Sequence, residues 1–358
     1  MGSWAVLFVA LSPFWAGLEP GDFDVGYEHA ALRDYARPFQ AEGEDRARPI
    51  ELSIWYPARA REDGEPLPLR RYVEGSDPDA LVLRLSASGH RLSEADVEYV
   101  VATPTLAFDR APHMPGPFPL LVFGTGLTAP AYLNTVLAEY LASHGYVVVA
   151  IPSIPAREDV RPNFDALAVE TQLRDMEFVI HWMHDYPETD IERLGLVAWG
   201  FGGVAQALLQ MKNADVDAVV SLDGGTGYAY GSELLKTSLY FEPMRATAPF
   251  FHVTDSREQT HRVPKHFDYY DATLRGPSMF LTVEDLAHTE LVSLTSVVPH
   301  AVFPNASSPD VLRRYALICR YVESFLSDTM KDDSEAADFL DVTPSRHGFD
   351  GLILSRRR

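Results

Sequence analysis

Apolar and polar positions alternate along this chain in two rhythms. Runs with strand character occupy Asp22–His29 and Ile50–Tyr56, then Pro119–Phe123, Tyr146–Ile151, Leu194–Ala198, Val216–Leu222, Pro249–Thr254 and Ser278–Val283. Between the later runs, apolar residues recur at helical spacing over Tyr132–Ser143, Phe164–Asp185, Gly202–Lys212 and Asp310–Ser327. Short apolar strands separated by helices predict an α/β fold, with a mostly parallel central sheet and helices on both faces, because crossover connections lay helices over those faces. Ligands of such sheets bind beyond the carboxyl ends of the strands, so the residues that follow each strand are where chemistry is expected.

The breaks in this rhythm set the expected organisation. Polar or Pro-rich stretches at Arg59–Pro68, Ala111–Pro119 and Lys331–Glu335 read as loops. Two short helical patterns, Ala80–Leu85 and Ser93–Tyr99, predict a small helical insertion over the sheet at about residues 78–100. No internal repeat is present. The expected layout is an apolar N-terminal segment over residues 1–20, one domain over 21–330, and a C-terminal extension over 331–358.

The apolar run Trp4–Leu18 is too short to span a bilayer as a helix. Its length suits a secretory signal, yet no Lys or Arg precedes it and no clean small-x-small cleavage site follows. An exported protein and a cytoplasmic one with a peripheral apolar tail are therefore both open. The net charge of −21, from 51 acidic against 30 basic residues, argues against nucleic acid as a partner, since phosphate binding needs a concentrated positive face. The lone Cys319 precludes an intrachain disulfide and lies in a helical pattern as a packed thiol.

Candidate chemistry sits after the strand Leu194–Ala198. There Trp199-Gly200-Phe201-Gly202-Gly203 runs straight into a helix. The nucleophile elbow has the pattern G-x-S-x-G, in which small residues flank a sharp strand-to-helix turn that raises a serine hydroxyl above the sheet. Here the small positions are Ala198 and Gly202, and glycine, Gly200, stands at the serine position.

Several runs in the same order resemble the plasma platelet-activating-factor acetylhydrolases and their bacterial dienelactone-hydrolase-like relatives, members of the α/β-hydrolase superfamily. They are Phe118-Pro-Leu-Leu-Val-Phe-Gly-Thr-Gly-Leu, Leu141-Ala-Ser-His-Gly-Tyr-Val-Val-Val-Ala, Trp199-Gly-Phe-Gly-Gly, Ser221-Leu-Asp-Gly and Ala287-His-Thr, with Arg48-Pro-Ile-Glu-Leu-Ser-Ile-Trp-Tyr-Pro-Ala upstream. The resemblance implies an α/β-hydrolase fold in which the family serine maps to Gly200, its acid to Asp223 and its histidine to His288. Glu258, beyond the following strand, is an alternative acid, since many α/β hydrolases place theirs there. The oxyanion hole would use the backbone N–H groups of Leu127 and Phe201. Thr125 departs from the Ser-His-Gly run usual in relatives.

Thr125, Ser153, Ser221 and Thr226 lie near strand ends but off the elbow, which argues against a relocated nucleophile, because a nucleophile must reach its base. His181 and His184 have no third ligand near them in sequence, and Asp223-Gly-Gly-Thr-Gly lacks the lysine and helix of a phosphate loop. Neither a metal nor a cofactor is expected. Three readings follow. The chain is an impaired hydrolase-like protein that keeps a pocket for an ester, lactone or lipid-like ligand, or for a partner. Alternatively His288 and Asp223 activate a water toward an ester or lactone. In the third, Gly200 is a substitution in what is otherwise an ordinary serine esterase. Neuroligin-type relatives of cholinesterases are a precedent for the first, with glycine at the elbow. Tyr228, Tyr230, Tyr240 and Phe241 could wall such a pocket, or serve as plain packing. Oligomeric state is not legible.

Overall fold

The computed structural model describes residues 13–15, 17–60, 64–74, 92–255, 268–284, 286–297 and 309–357. Its strands are β1 (Asp24–Ala41), β2 (Glu44–Ala58), β3 (Ala107–Asp109), β4 (Phe118–Gly124), β5 (Val147–Ile151), β6 (Thr189–Trp199), β7 (Val216–Leu222), β8 (Phe250–Asp255), β9 (Ser278–Val283) and β10 (Leu352–Arg357). They form one sheet in the order β10-β9-β8-β7-β6-β4-β5-β2-β1-β3. From β5 to β9 every neighbouring pair is parallel, while β2 joins β5, and β10 joins β9, in antiparallel register.

The central residues of the parallel strands, such as Leu194–Ala198 of β6 and Val147–Ile151 of β5, are apolar and buried because both faces are covered. Val148 and Ala150 of β5, with Val197 of β6 and Val220 of β7, face one core built with the helices Thr135–Ser143 and Pro309–Lys331. Val147, Val149, Leu196 and Val219 face the other, against Ala166–Met183 and Gly202–Lys212. Burying one such branched side chain is worth about 1.5–3 kcal/mol, so slipping any central strand by one residue would forfeit contacts on both faces.

The first hairpin is longer than the pattern indicates. β1 and β2 pair from Asp24↔Ala58 out to Ala41↔Glu44, around Glu42 and Gly43, both with positive φ. Arg33, Asp34, Arg37 and Pro38 break the apolar alternation there, which hides the strand from a hydrophobicity reading. The outer hairpin is held by ionic contacts instead. Arg48 donates to both carboxylate oxygens of Asp175 at 2.7 and 2.6 Å, and to the carbonyls of Pro155 and Ile154; Arg37 reaches Asp175 at 2.8 Å.

In the insertion, the helix Glu94–Ala102 starts at a capping box made by Ser93 and Asp96. The pattern at Ala80–Leu85 lies outside the described residues. Toward the C-terminus, the helix Ser334–Asp341 is followed by β10, which completes the sheet edge. Arg356 pairs with Asp341 and Arg357 with Asp271, so these two arginines are engaged in ion pairs. Near the N-terminus, Trp15 is buried and its indole donates to the buried Glu139 at 3.2 Å. Cys319, on the helix Pro309–Lys331, is buried in the core, and burial pushes its thiol up to about 12. No described helix is long and apolar enough to cross a membrane.

Candidate active site

Gly200 forms the tip of the turn between β6 and the helix Gly202–Lys212, at φ 57°. A left-handed backbone costs a side-chain-bearing residue free energy that glycine does not lose. The turn is fixed on both sides: Gly200 N–H donates to Leu222 O at 3.2 Å, and Gly200 O accepts from Gly203 and Gly225 at 3.1 and 2.6 Å. Gly202 is needed for a different reason. A β-carbon there would lie 2.5 Å from Gly124 O, so the helix can start this close to the end of β4 only without a side chain.

Asp223 follows β7 and is buried, with φ 45°. Its Oδ2 accepts from His288 Nδ1 and from the Tyr228 hydroxyl, each at 2.6 Å, and its Oδ1 accepts from Thr254 Oγ1 at 3.1 Å. An ionised carboxylate is an acceptor only, so these donors suit the charged form. With its proton on Nδ1, the neutral imidazole turns the lone pair of Nε2 the other way. Nε2 lies 3.2 Å from the point that a β-carbon on Gly200 would occupy, and Cε1 3.4 Å from it.

His288 opens the short turn His288–Leu291, which Glu290 caps by accepting from Ala287 N–H at 2.6 Å. Trp199 steadies the ring from below: the indole stacks on the imidazole at 4.7 Å between centroids, and Nε1 donates to His288 O at 3.1 Å. Farther along, Ser293 binds Asn134 Oδ1 and Leu133 O, tying this loop to the segment that follows β4.

The sequence-selected residues therefore meet unevenly. Gly200, Asp223 and His288 converge. Phe201 directly follows Gly200, and Leu127 ends the Gly124–Leu127 loop, whose Gly126 Cα lies 4.0 Å from the β-carbon position of Gly200; neither the Leu127 nor the Phe201 backbone N–H is taken by a protein acceptor among the described residues. Glu258 lies outside the described residues. Thr125 turns inward, donating to Ala129 O and Ile151 O, and its carbonyl accepts from Gln172. Ser221 and Thr226 are buried against His252 and Tyr270. Ser153 is tied by its backbone to Ala129 O. None of the four hydroxyls sits on the turn. Tyr240 and Phe241 pack against the core, whereas Tyr228 binds Asp223, a contact missed in the sequence although the glycine-rich run before it allows the chain to double back.

Among the described residues no group of three or more His, Cys, Asp or Glu side chains could hold a metal ion. No protein-family model matches the chain, and no curated protein does. Among solved structures, the chain is similar to a ferulic acid esterase from Streptomyces cinnamoneus, with 19% sequence identity and a TM-score of 0.67 over 93% of this chain and 96% of that one. The fold is that of the α/β hydrolases. At this identity the likeness carries the α/β-hydrolase architecture alone, and the chemistry has to be argued from the side chains.

Proposed function

We propose that this α/β-hydrolase-fold protein is a catalytically impaired, esterase-like chain that binds an ester, lactone or other carbonyl-bearing small molecule at the turn of Gly200. One observation carries this reading: His288 Nε2 is 3.2 Å from the β-carbon position of residue 200, so base and acid stand in serine-hydrolase relation to a residue that has no hydroxyl. The ordered runs that resemble those of the acetylhydrolase and dienelactone-hydrolase group, Ser221-Leu-Asp-Gly and Ala287-His-Thr among them, support the same assignment of Asp223 and His288. In this reading the Leu127 and Phe201 amides receive the ligand's carbonyl oxygen.

Without a nucleophile the chemical step loses its covalent route. Removing the serine of a working triad typically lowers turnover by about 10⁶, while amides and binding groups retain roughly 10³–10⁴ over water. A second reading has His288 activate a water against the bound carbonyl, and the support given to Asp223 by Tyr228 and Thr254 favours it. A free water is less well held than a tethered hydroxyl, which limits such a rate.

Assays of the chain and of its Gly200→Ser variant on short p-nitrophenyl esters, with a fluorophosphonate probe, separate these readings. The expected result is no label and negligible turnover for the unaltered chain, and both label and turnover for the variant. Ordinary turnover by the unaltered chain, dependent on His288, would replace the binder by the water mechanism. A variant with neither label nor turnover would remove Asp223 and His288 from their assigned roles.

A further inference from the structure

Residues 224–227 carry Asp223 at one end and Tyr228 at the other, and the backbone there is tightly directed. Asp223 is left-handed at φ 45°, and Gly225 N–H donates to Gly200 O at 2.6 Å. A residue with a side chain persists in that region only where its surroundings over-determine it. Part of the constraint comes from three successive residues of β8. Val253 O accepts from Asp223 N–H at 2.6 Å, Thr254 Oγ1 donates to Asp223 Oδ1, and the buried His252 meets the polar side chains beneath the turn.

Those side chains form a network separate from the Asp223–His288 contact. His252 Nδ1 lies 3.0 Å from Ser221 Oγ and 3.3 Å from the Tyr270 hydroxyl, which in turn lies 2.9 Å from Thr226 Oγ1. All four residues are buried. They touch the run at successive points. A β-carbon on Gly224 would lie 2.4 Å from Ser221 Oγ, Thr226 is hydrogen-bonded to Tyr270, and the β-carbon position of Gly227 lies 3.4 Å from the Tyr270 hydroxyl and 3.5 Å from His252 Nε2. Tyr270 belongs to the helix Asp268–Thr273, so its hydroxyl is where a separate element grips the turn. Three glycines in four residues give the run wide conformational freedom, and a well-bonded buried network selects one arrangement of it.

We propose that Tyr270, seated by His252, is a positioning residue for the Asp223–His288 pair: by holding Thr226 it fixes the turn so that the Tyr228 hydroxyl meets Asp223 Oδ2. The proposal rests on the acid and base roles given above to Asp223 and His288.

Two readouts on the full chain test it. In the otherwise unaltered protein, the Nδ1 proton of His288, held 2.6 Å from a carboxylate oxygen, gives a far-downfield proton NMR resonance, assigned by its loss in His288→Gln. Tyr228→Phe, Tyr270→Phe and Thr226→Val are each expected to shift it, and Tyr270→Phe added to Tyr228→Phe to move it no further. In the Gly200→Ser background, Tyr270→Phe and Thr226→Val are each expected to lower kcat about fivefold with KM little changed, and less than about twofold once Tyr228→Phe is also present. A loss that reflects only a less stable fold would be the same with and without the Tyr228 hydroxyl. Circular dichroism verifies that the variants are folded. A resonance unmoved by both Tyr270→Phe and Thr226→Val, or kcat losses undiminished by Tyr228→Phe, would overturn the assignment. A Gly200→Ser chain without turnover would instead remove the functional reading, and the resonance alone would then decide the role of Tyr270.

Discussion

His288 stands over Gly200 with Nε2 3.2 Å from where a β-carbon would be, closer than most real β-carbon contacts. A serine at this position would therefore require the imidazole to give by a few tenths of an ångström. The ring is free to do so only within limits, because Asp223 holds Nδ1 at 2.6 Å and Trp199 holds the backbone carbonyl at 3.1 Å.

That crowding and the φ of 57° predict that Gly200→Ser destabilises the fold even where it creates a nucleophile. The expected loss is about 1–3 kcal/mol, the usual penalty for a non-glycine residue in such a backbone region. Urea unfolding should show a lower midpoint with an unchanged slope. An unchanged or higher midpoint would mean that the turn relaxes on substitution.

Tyr228 and His288 share one oxygen of Asp223, so loss of the tyrosine hydroxyl should act on the chemical step. In the Gly200→Ser background, Tyr228→Phe is expected to lower kcat by about tenfold to a hundredfold with little change in KM, as a hydrogen bond to a charged group is worth about 1.5–3 kcal/mol. Steady-state kinetics on a p-nitrophenyl ester check this. A change confined to KM would make Tyr228 a wall of the ligand site.

Glu139 is buried with donors from three separate segments: Trp15 Nε1 at 3.2 Å, the Tyr72 hydroxyl at 2.6 Å and Leu106 N–H at 3.2 Å. Burial nevertheless dominates and raises its carboxyl from 4.5 to about 7. The folded state then holds a proton that the unfolded state releases, so this contribution is fully present below about pH 4.5 and is lost as pH rises through about 7. Across that interval stability should fall by about 3 kcal/mol, at 1.36 kcal/mol per pH unit. Chemical unfolding at pH 5 and pH 7.5 should show most of this difference, about 2.4 kcal/mol, in the unaltered chain and much less of it in Glu139→Gln.

Arg48 and Asp175 are each 3% exposed in their side chains, and they fasten the outer hairpin to the helix Ala166–Met183. Arg48→Met alone should cost about 3–5 kcal/mol, because it leaves a buried carboxylate without its main partner. The double variant Arg48→Met/Asp175→Leu should recover most of that loss, since a buried pair is often replaceable by apolar side chains. Denaturation midpoints of both variants decide the matter.

The sequence by itself determined the parallel core and the position of the turn. Strands buried on both faces are apolar throughout, as in Val147–Ile151, and crossover helices repeat their apolar face every three to four residues, so both patterns survive in one dimension. Gly200 stands out as the glycine at the tip of a strand-to-helix turn, while Asp223 and His288 are picked out by the resemblance carried by Ser221-Leu-Asp-Gly and Ala287-His-Thr. The outer half of β1 was not legible, because its stability rests on Arg48, Arg37 and Asp175, ionic partners up to 138 positions apart (175 − 37) whose pairing leaves no periodic trace. Nor was the hold of Tyr228 on Asp223, which depends on how the run Gly224–Gly227 doubles back. Only the tertiary structure decided that the imidazole of His288 lies against Gly200, since that distance is set by two loops, each anchored by its own hydrogen bonds, and by the packing of Trp199 beneath them.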